Sequence, residues 1–321
     1  MSSMSFMEKL LDGVEVKWTA LGDVCEKISS GKNKVKSDDG VYPVFGSTGI
    51  IGWTNNKVYE KEQILVARVG ANAGRVNIAK GEYDVSDNTL IVKNNECIIL
   101  KYLYYYLVNI NLNRFAQGAG QPLITGGQLK EIQIPIPCPE NPEKSLEIQA
   151  EIVRILDTFT ELTTELKAEL TARKKQYNYY RDQLLSFDEG EVEWKTLGEV
   201  YKFQYGMGNT IPTLGGEYPV FGSNGIVGTH NEFNSEDSPV IGHIGAYAGI
   251  VNWGAGKHFV TYNGVICKLI NKLVHQKYAY YLLLKQDFNS MAKSASHPFV
   301  SYDALNKVSV PIPPPAEQAR I

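Results

Sequence analysis

The chain has 321 residues, 43% of them apolar, and a net charge of −3, enough for two ordinary domains and a connector. No apolar run approaches the ~18 residues of a membrane span, and no cationic, apolar-cored leader opens the chain, so a cytoplasmic protein with no membrane partner is expected. Cys25, Cys97, Cys138 and Cys267 form no C-x-x-C pair, which argues against zinc or a disulfide framework and for buried free thiols.

In chain order, the text recurs. Tyr42-Pro43-Val44-Phe45-Gly46-Ser47-Thr48-Gly49-Ile50-Ile51-Gly52 returns 176 residues later as Tyr218-Pro219-Val220-Phe221-Gly222-Ser223-Asn224-Gly225-Ile226-Val227-Gly228. Gly70–Gly74 returns as Gly245–Gly249, one residue out of step, and Pro135-Ile136-Pro137 as Pro311-Ile312-Pro313. A period this long marks a duplicated domain, not a solenoid. In the first copy Ile64–Val69, Val76–Ala79 and Thr89–Lys93 read as strands and Tyr102–Val108 as an apolar-faced helix. Ile241–Ile244, Ile250–Trp253, Val265–Leu269 and Tyr278–Leu284 match them in the second. The Gly-Ala-x-Ala-Gly segments read as turns with small residues at a surface tip. Tyr-Pro-Val-Phe-Gly reads as architecture, its Pro and Gly fixing turns.

Between the copies, residues 145–185 read as one long helix. Its apolar positions are Ile148, Ile152, Ile155, Phe159, Leu162, Leu166, Leu170, Tyr177, Tyr180 and Leu184, a coiled-coil-type seam for helix packing or a subunit interface. Ser145 is the expected cap, with Pro142 still outside the helix and Gly190 closing the segment. About 40 residues reach on the order of 60 Å, a stiff spacer. Residues 141–190 carry 7 Lys/Arg against 10 Asp/Glu, so the acidic surplus lies here and neither copy is a basic domain. A one-seamed helix needs a partner, and pairing with a second copy of the chain would supply one. Pro313–Ile321 parallels the approach to this helix, and Met7–Gly13 parallels its tail. The expected organisation is α+β: mixed α/β domains at 1–140 and 191–315, a helical spacer at 141–190, and the start of a shortened distal helix at 316–321.

Motifs of catalysis are missing. There is no G-x-x-x-x-G-K-[S/T], no H-E-x-x-H and no complete G-x-G-x-x-G. All five histidines lie in the second copy, whereas a duplicated catalytic pair would appear in both. A non-enzyme with no metal is expected. The informative positions are those where the copies differ. Arg68, Asn72, Arg75, Asp87, Arg114 and Gln117 in the first face His243, Tyr247, Ile250, Tyr262 and Lys293 in the second. Equal scaffolds with unlike tips suit the reading of two unlike targets, Arg to guanine and Asn or Gln to adenine. Lys32, Lys34 and Lys36 are phosphate candidates. Ser47, Thr48, Ser223 and Asn224 are donor candidates for phosphates or base edges. Asn88, Gln121, Asn263 and His297 complete the candidate set. The alternative for each is a solvated surface residue.

These residues resemble a known family, the specificity subunits of type I restriction–modification enzymes. The resemblance rests on Trp18-x-x-Leu21-Gly22-Asp23-Val24, Tyr42-Pro43-Val44-Phe45-Gly46 and Pro135-Ile136-Pro137. It rests too on Ile148-Gln149-x-x-Ile152-Val153-x-Ile155-Leu156-Asp157 and Tyr179-Tyr180-Arg181-Asp182-x-Leu184-Leu185, in that order around a helical spacer. It implies two target-recognition domains, each reading half of a split, asymmetric site in double-stranded DNA, with the helix setting the gap. It implies no cofactor on this chain. Partner modification subunits would use S-adenosylmethionine to methylate adenine, and a restriction subunit would use ATP and Mg. A second long helix is part of the family pattern, so the stop at Ile321 raises the alternative of a truncated or decayed subunit, active only as a dimer or with another chain. A separate alternative is a protein-interaction scaffold working through the helix.

Overall fold

The computed structural model describes residues 13–34, 37–118, 120–188, 190–208, 211–212, 215–293 and 297–321. Lys36 and the helix-tail segment up to residue 12 lie outside them. The chain divides into two compact units, Met1–Lys167 and Ala168–Ile321.

In the first unit, β1 (Val16–Ala20) pairs antiparallel with β9 (Gln133–Pro137), which brings the ends of the domain together. A four-stranded antiparallel sheet has the order β2 (Cys25–Ser30), β8 (Thr89–Asn94), β5 (Gln63–Ala67), β6 (Val76–Ala79). A second sheet has the order β4 (Gly49–Thr54), β3 (Tyr42–Gly46), β7 (Asp84–Val85), with β3 and β7 parallel. Helix α1 (Leu100–Asn109) lays Tyr102, Leu103 and Leu107 into a core that also holds Ile64, Val66, Leu90 and Val92. Each such aliphatic side chain stabilises by about 1.5–3 kcal/mol. The Tyr102 hydroxyl donates to the Pro135 carbonyl at 2.7 Å and ties the helix to β9. Short α2 (Gly126–Lys130) follows, with Thr125 and Gln128 forming a capping box.

The second unit repeats this plan. It comprises β10 (Glu193–Thr196), α4 (Leu197–Val200), β11 (Tyr201–Tyr205), β12 (Tyr218–Gly222), β13 (Gly225–His230), β14 (Ser235–Gly242), β15 (Val251–Val260) and β16 (Gly264–Leu269). Helices α5 (Gln276–Lys285) and α6 (Tyr302–Asn306), strand β17 (Ser309–Ile312) and helix α7 (Pro315–Arg320) complete it. Among the described residues the sheets of the two units differ at β15. It runs unbroken where the first unit has β6 and β7, so it serves both sheets and joins them into one of order β11-β16-β14-β15-β12-β13. Tyr278 repeats the tyrosine tie, donating to the Pro311 carbonyl at 2.8 Å.

Four local expectations change. Tyr-Pro-Val-Phe-Gly is a strand in both copies rather than a turn. Pro43 is tolerated there because β7 pairs only with Val44 and Phe45, so no neighbour wants the missing N–H. The Gly70–Gly74 turn is docked, not a free tip: Ala73 is buried, and a Cβ on Gly74 would lie 2.4 Å from the Asn113 nitrogen. Helix α3 (Pro142–Leu184) begins earlier than expected. Asn141 caps it, its side-chain oxygen accepting from the Lys144 amide at 3.1 Å, and Pro142 takes the first helical position, where a missing N–H is harmless. Ser145 is instead buried and meets Gln149. Finally, all four cysteines are free but only Cys267 is fully buried, and Cys97 is exposed.

The seam of α3 also divides. Ile148 is buried, and Ile152 is half-buried against the first unit's core. Phe159, Leu162, Leu166, Leu170, Tyr177, Tyr180 and Leu184 are exposed large apolar side chains. No helix among the described residues is long and apolar enough to cross a membrane.

Candidate nucleic-acid interface

Five loops of the first unit meet at one end of its sheets, and backbone hydrogen bonds stitch them together. Arg68 N donates to the Asn88 carbonyl at 2.9 Å, and Ile124 N to the Arg68 carbonyl at 2.8 Å. Gly70 N reaches Pro122 O, Lys32 N reaches Val85 O, and Asp87 N reaches Asn33 O. The Ser47 hydroxyl donates to Asn88 O at 3.2 Å, and the Asn113 amide to Ala73 O at 2.8 Å.

The second unit makes the same bonds with the equivalent residues. His243 N donates to Asn263 O and Val300 N to His243 O. Gly245 N reaches Pro298 O, Met207 N reaches Val260 O, and Tyr262 N reaches Gly208 O. Ser223 donates to Asn263 O at 3.0 Å, and Asn289 to Ala248 O at 2.9 Å. The bonds therefore align Arg68 with His243, Asn72 with Tyr247, Asp87 with Tyr262 and Gln117 with Lys293. They also pair Gln121 with His297.

This geometry sorts the candidates. The Ser47 and Ser223 hydroxyls and the backbone carbonyls of Asn88 and Asn263 anchor the loops in both units, and Ser223 donates to the Ile244 carbonyl as well, at 2.7 Å. Thr48 and Asn224 are exposed at the hairpin turns beside them. Lys32, Lys34, Arg75, Arg114, Gln117 and Gln121 are exposed, and Arg68 and Asn72 half-exposed, around the first cluster. None of Lys32, Lys34, Arg68, Arg75 or Arg114 forms an ion pair among the described residues, although Lys57, Lys80, Lys93 and Lys101 elsewhere in the unit all do. A set of unpaired cations at one loop end is suited to a polyanion.

The second cluster is built differently. Tyr247 and Tyr262 are exposed, as are Lys293 and His297. His243 is not: it is 5% exposed, and its Nδ1 lies 2.9 Å from the Val300 carbonyl. The expectation that its ring reaches DNA is therefore corrected, because it is packed beneath the tip. Its ring centroid lies 4.3 Å from Tyr205 and 5.5 Å from Tyr262. Tyr205 stacks on Tyr302 at 3.9 Å, and the Tyr302 oxygen accepts from the Tyr205 amide. Burial pushes the Tyr302 phenol up to about 12, so it stays neutral at physiological pH. Such aromatic contacts each add about 0.5–1.5 kcal/mol.

The sequence reading missed Tyr205, Phe299 and Tyr302. The signal was present at the same offsets: Ser30, Leu123 and Gly126 in the first copy become these three rings in the second.

Two loop-bearing domains of one plan, with unlike tips, invite comparison with known proteins. The sequence profile of the type I restriction modification DNA specificity domain matches residues 14–173 and again 189–321. The chain belongs to the type I restriction–modification specificity family. It is 46% identical over 223 residues to the specificity subunit of the Escherichia coli type I restriction enzyme EcoR124I/EcoR124II, an alignment covering 65% of this chain and 54% of the relative, little more than half its length. With the EcoprrI specificity subunit, also from Escherichia coli, identity is 32% over 368 residues, covering 98% of this chain and 87% of the relative. In fold, it is similar to the crystal structure of the S subunit from M. genitalium, with a TM-score of 0.70 at 20% identity over 96% of this chain and 88% of the other.

Proposed function

We propose that this chain is the non-catalytic reader of a type I restriction–modification complex, in which each unit addresses one half of a bipartite, asymmetric duplex DNA site. The observation that carries the reading is the pair of loop clusters with one hydrogen-bond plan and different exposed side chains. Backbone bonds hold the tips, which leaves Arg68, Asn72 and Gln117 in one unit, and Tyr247, Tyr262 and Lys293 in the other, to make contacts. Helix α3 serves as the ruler between half-sites. Modification subunits carrying S-adenosylmethionine and methylating adenine, and a restriction subunit using ATP and Mg, are the partners that turn reading into chemistry. The exposed stripe Phe159, Leu162, Leu166 and Leu170 favours one further association, pairing of α3 with the same helix of a second copy. Sedimentation of the chain alone should then show a dimer that Leu166→Glu dissolves.

The deciding experiment is methylome sequencing of cells expressing the chain with its cognate modification subunit. A two-part adenine-methylated motif is expected, and exchanging residues 1–140 should alter one half only. A modification subunit that methylates the same motif without this chain overturns the reading.

A further inference from the structure

Asp87 is the anomaly of the first loop cluster. It stands on a loop bonded to those that carry Lys32, Lys34 and Arg68, yet no hydrogen bond or ion pair engages its carboxylate among the described residues. Arg68 is its neighbour through the bond from Arg68 N to Asn88 O, and the two side chains still do not pair. Beside Asp87 lies a recess of about 250 Å³ walled by Val44, Ile51 and Lys34. Ser86 lines it; its hydroxyl is buried and lacks any partner. The equivalent hydroxyl in the second unit, on Thr261, is satisfied by the Phe221 carbonyl at 3.2 Å. So the first unit alone combines an unengaged carboxylate with an unsatisfied hydroxyl at this turn. The second has the Tyr262 ring there.

A carboxylate facing DNA is repelled by phosphates unless a donor meets it. In the major groove only the amino groups of cytosine and adenine donate. Adenine sets the N7 acceptor beside its amino group, which repels an acceptor-only carboxylate, whereas cytosine presents the donor alone. We propose that Asp87 reads the 4-amino group of a cytosine in the half-site addressed by the first unit, its carboxylate accepting the one amino hydrogen that the base pair leaves free in the major groove. This rests on the DNA-reading function proposed above.

The test compares wild type, Asp87→Ala and Asp87→Asn, each assembled with the cognate modification subunit, by methylome sequencing and by binding to duplexes differing only at that base pair. The wild-type motif should hold an invariant cytosine in the half exchanged with residues 1–140. Asp87→Ala should lower discrimination there on the order of ten-fold or more and leave the other half untouched. Asp87→Asn, whose amide both donates and accepts, should shift preference toward adenine. It also decides the matter if the alanine variant does not fold. A bipartite motif unchanged in both variants, or a first half-site without invariant cytosine, overturns the assignment and leaves the DNA-reading function standing. A wild-type complex with no bipartite motif brings down both.

Discussion

Gln149 is the side chain on which the seating of α3 against the first unit depends. It is fully buried, and its oxygen accepts from the Ile99 amide at 2.9 Å. Its amide donates to the Cys97 carbonyl and to the Ser145 hydroxyl, both at 3.2 Å. Ile99 is the residue that leads into α1, so this one side chain joins the long helix to α1. Gln149→Ala strands the Ile99 amide, and an unsatisfied buried donor costs about 1–3 kcal/mol. The Cys97 carbonyl sits at an exposed residue and regains water, so it adds less. With the small void, a loss of about 2–4 kcal/mol is expected, a large share of the roughly 5–15 kcal/mol available to a domain. The assay is urea denaturation of the full chain, with hydrogen exchange on peptides spanning 95–105 to report the first unit. Gln149→Glu sets a buried carboxylate against the Cys97 carbonyl and the Ser145 hydroxyl, and should destabilise at neutral pH at least as much as alanine. The second unit supplies an internal control. Gln318 accepts from His275 N at 2.7 Å and donates to Leu273 O at 3.1 Å, so Gln318→Ala should act alike there. A change below about 0.5 kcal/mol for Gln149→Ala, within the range of an ordinary surface substitution, would refute the clamp.

Two further outcomes follow from the loop ends and the cores behind them. Burial holds the His258 imidazole below its ordinary value of 6.5, with Nδ1 at 2.8 Å from the Gly256 carbonyl and Nε2 at 3.3 Å from the Ser238 hydroxyl. A depressed base is neutral in the fold and takes its proton more readily when unfolded. Its stabilising share is thus complete above pH 6.5 and is lost as pH falls through 6.5 toward the folded value. Between pH 7.5 and 5.5, hydrogen-exchange protection, corrected for the intrinsic pH dependence of exchange, should fall in β14 and β15 and not in the histidine-free first unit, and His258→Gln should flatten the difference. Arg68→Ala should cost about 1–3 kcal/mol of DNA affinity confined to one base pair of one half-site. Competition binding across substituted duplexes checks it, and a uniform loss would mark Arg68 as a phosphate contact instead.

How much was legible beforehand depended on what kind of signal each element carries. The duplication gave β5, β6 and β8 and their partners, because buried strands of Val, Ile and Leu are compact apolar runs. The α3 seam was readable from its spacing over many turns. The short strands β1 and β9 were not, because each alternates over only five residues and Pro135 and Pro137 read as breakers; they exist by pairing with each other across the domain. The start of α3 was misplaced because Pro142 carries opposite meanings inside a helix and at its first position. In the loop clusters, identity and difference between copies located the tips but did not reveal depth. His243 aligns with Arg68 and looks equally polar in sequence. Only the surrounding rings of Tyr205, Tyr262 and Phe299 bury it.

That difference in depth separates the two units in how they tolerate change. In the first, the loops are held by backbone groups and by Ser47 and Asn113, and the side chains of Arg68, Arg75, Asp87, Gln117 and Gln121 take no part in that bonding. Exchanging them alters what is contacted without removing a bond that shapes the tip. In the second, Tyr262 is both the exposed tip and one wall of the aromatic cluster, and Tyr205 touches His243, Tyr262 and Tyr302 at once. Replacing one ring leaves its neighbours facing a void, because packed rings relax only partly around a cavity. New contacts in the first unit can therefore arise by single substitutions, while in the second the rings must change together.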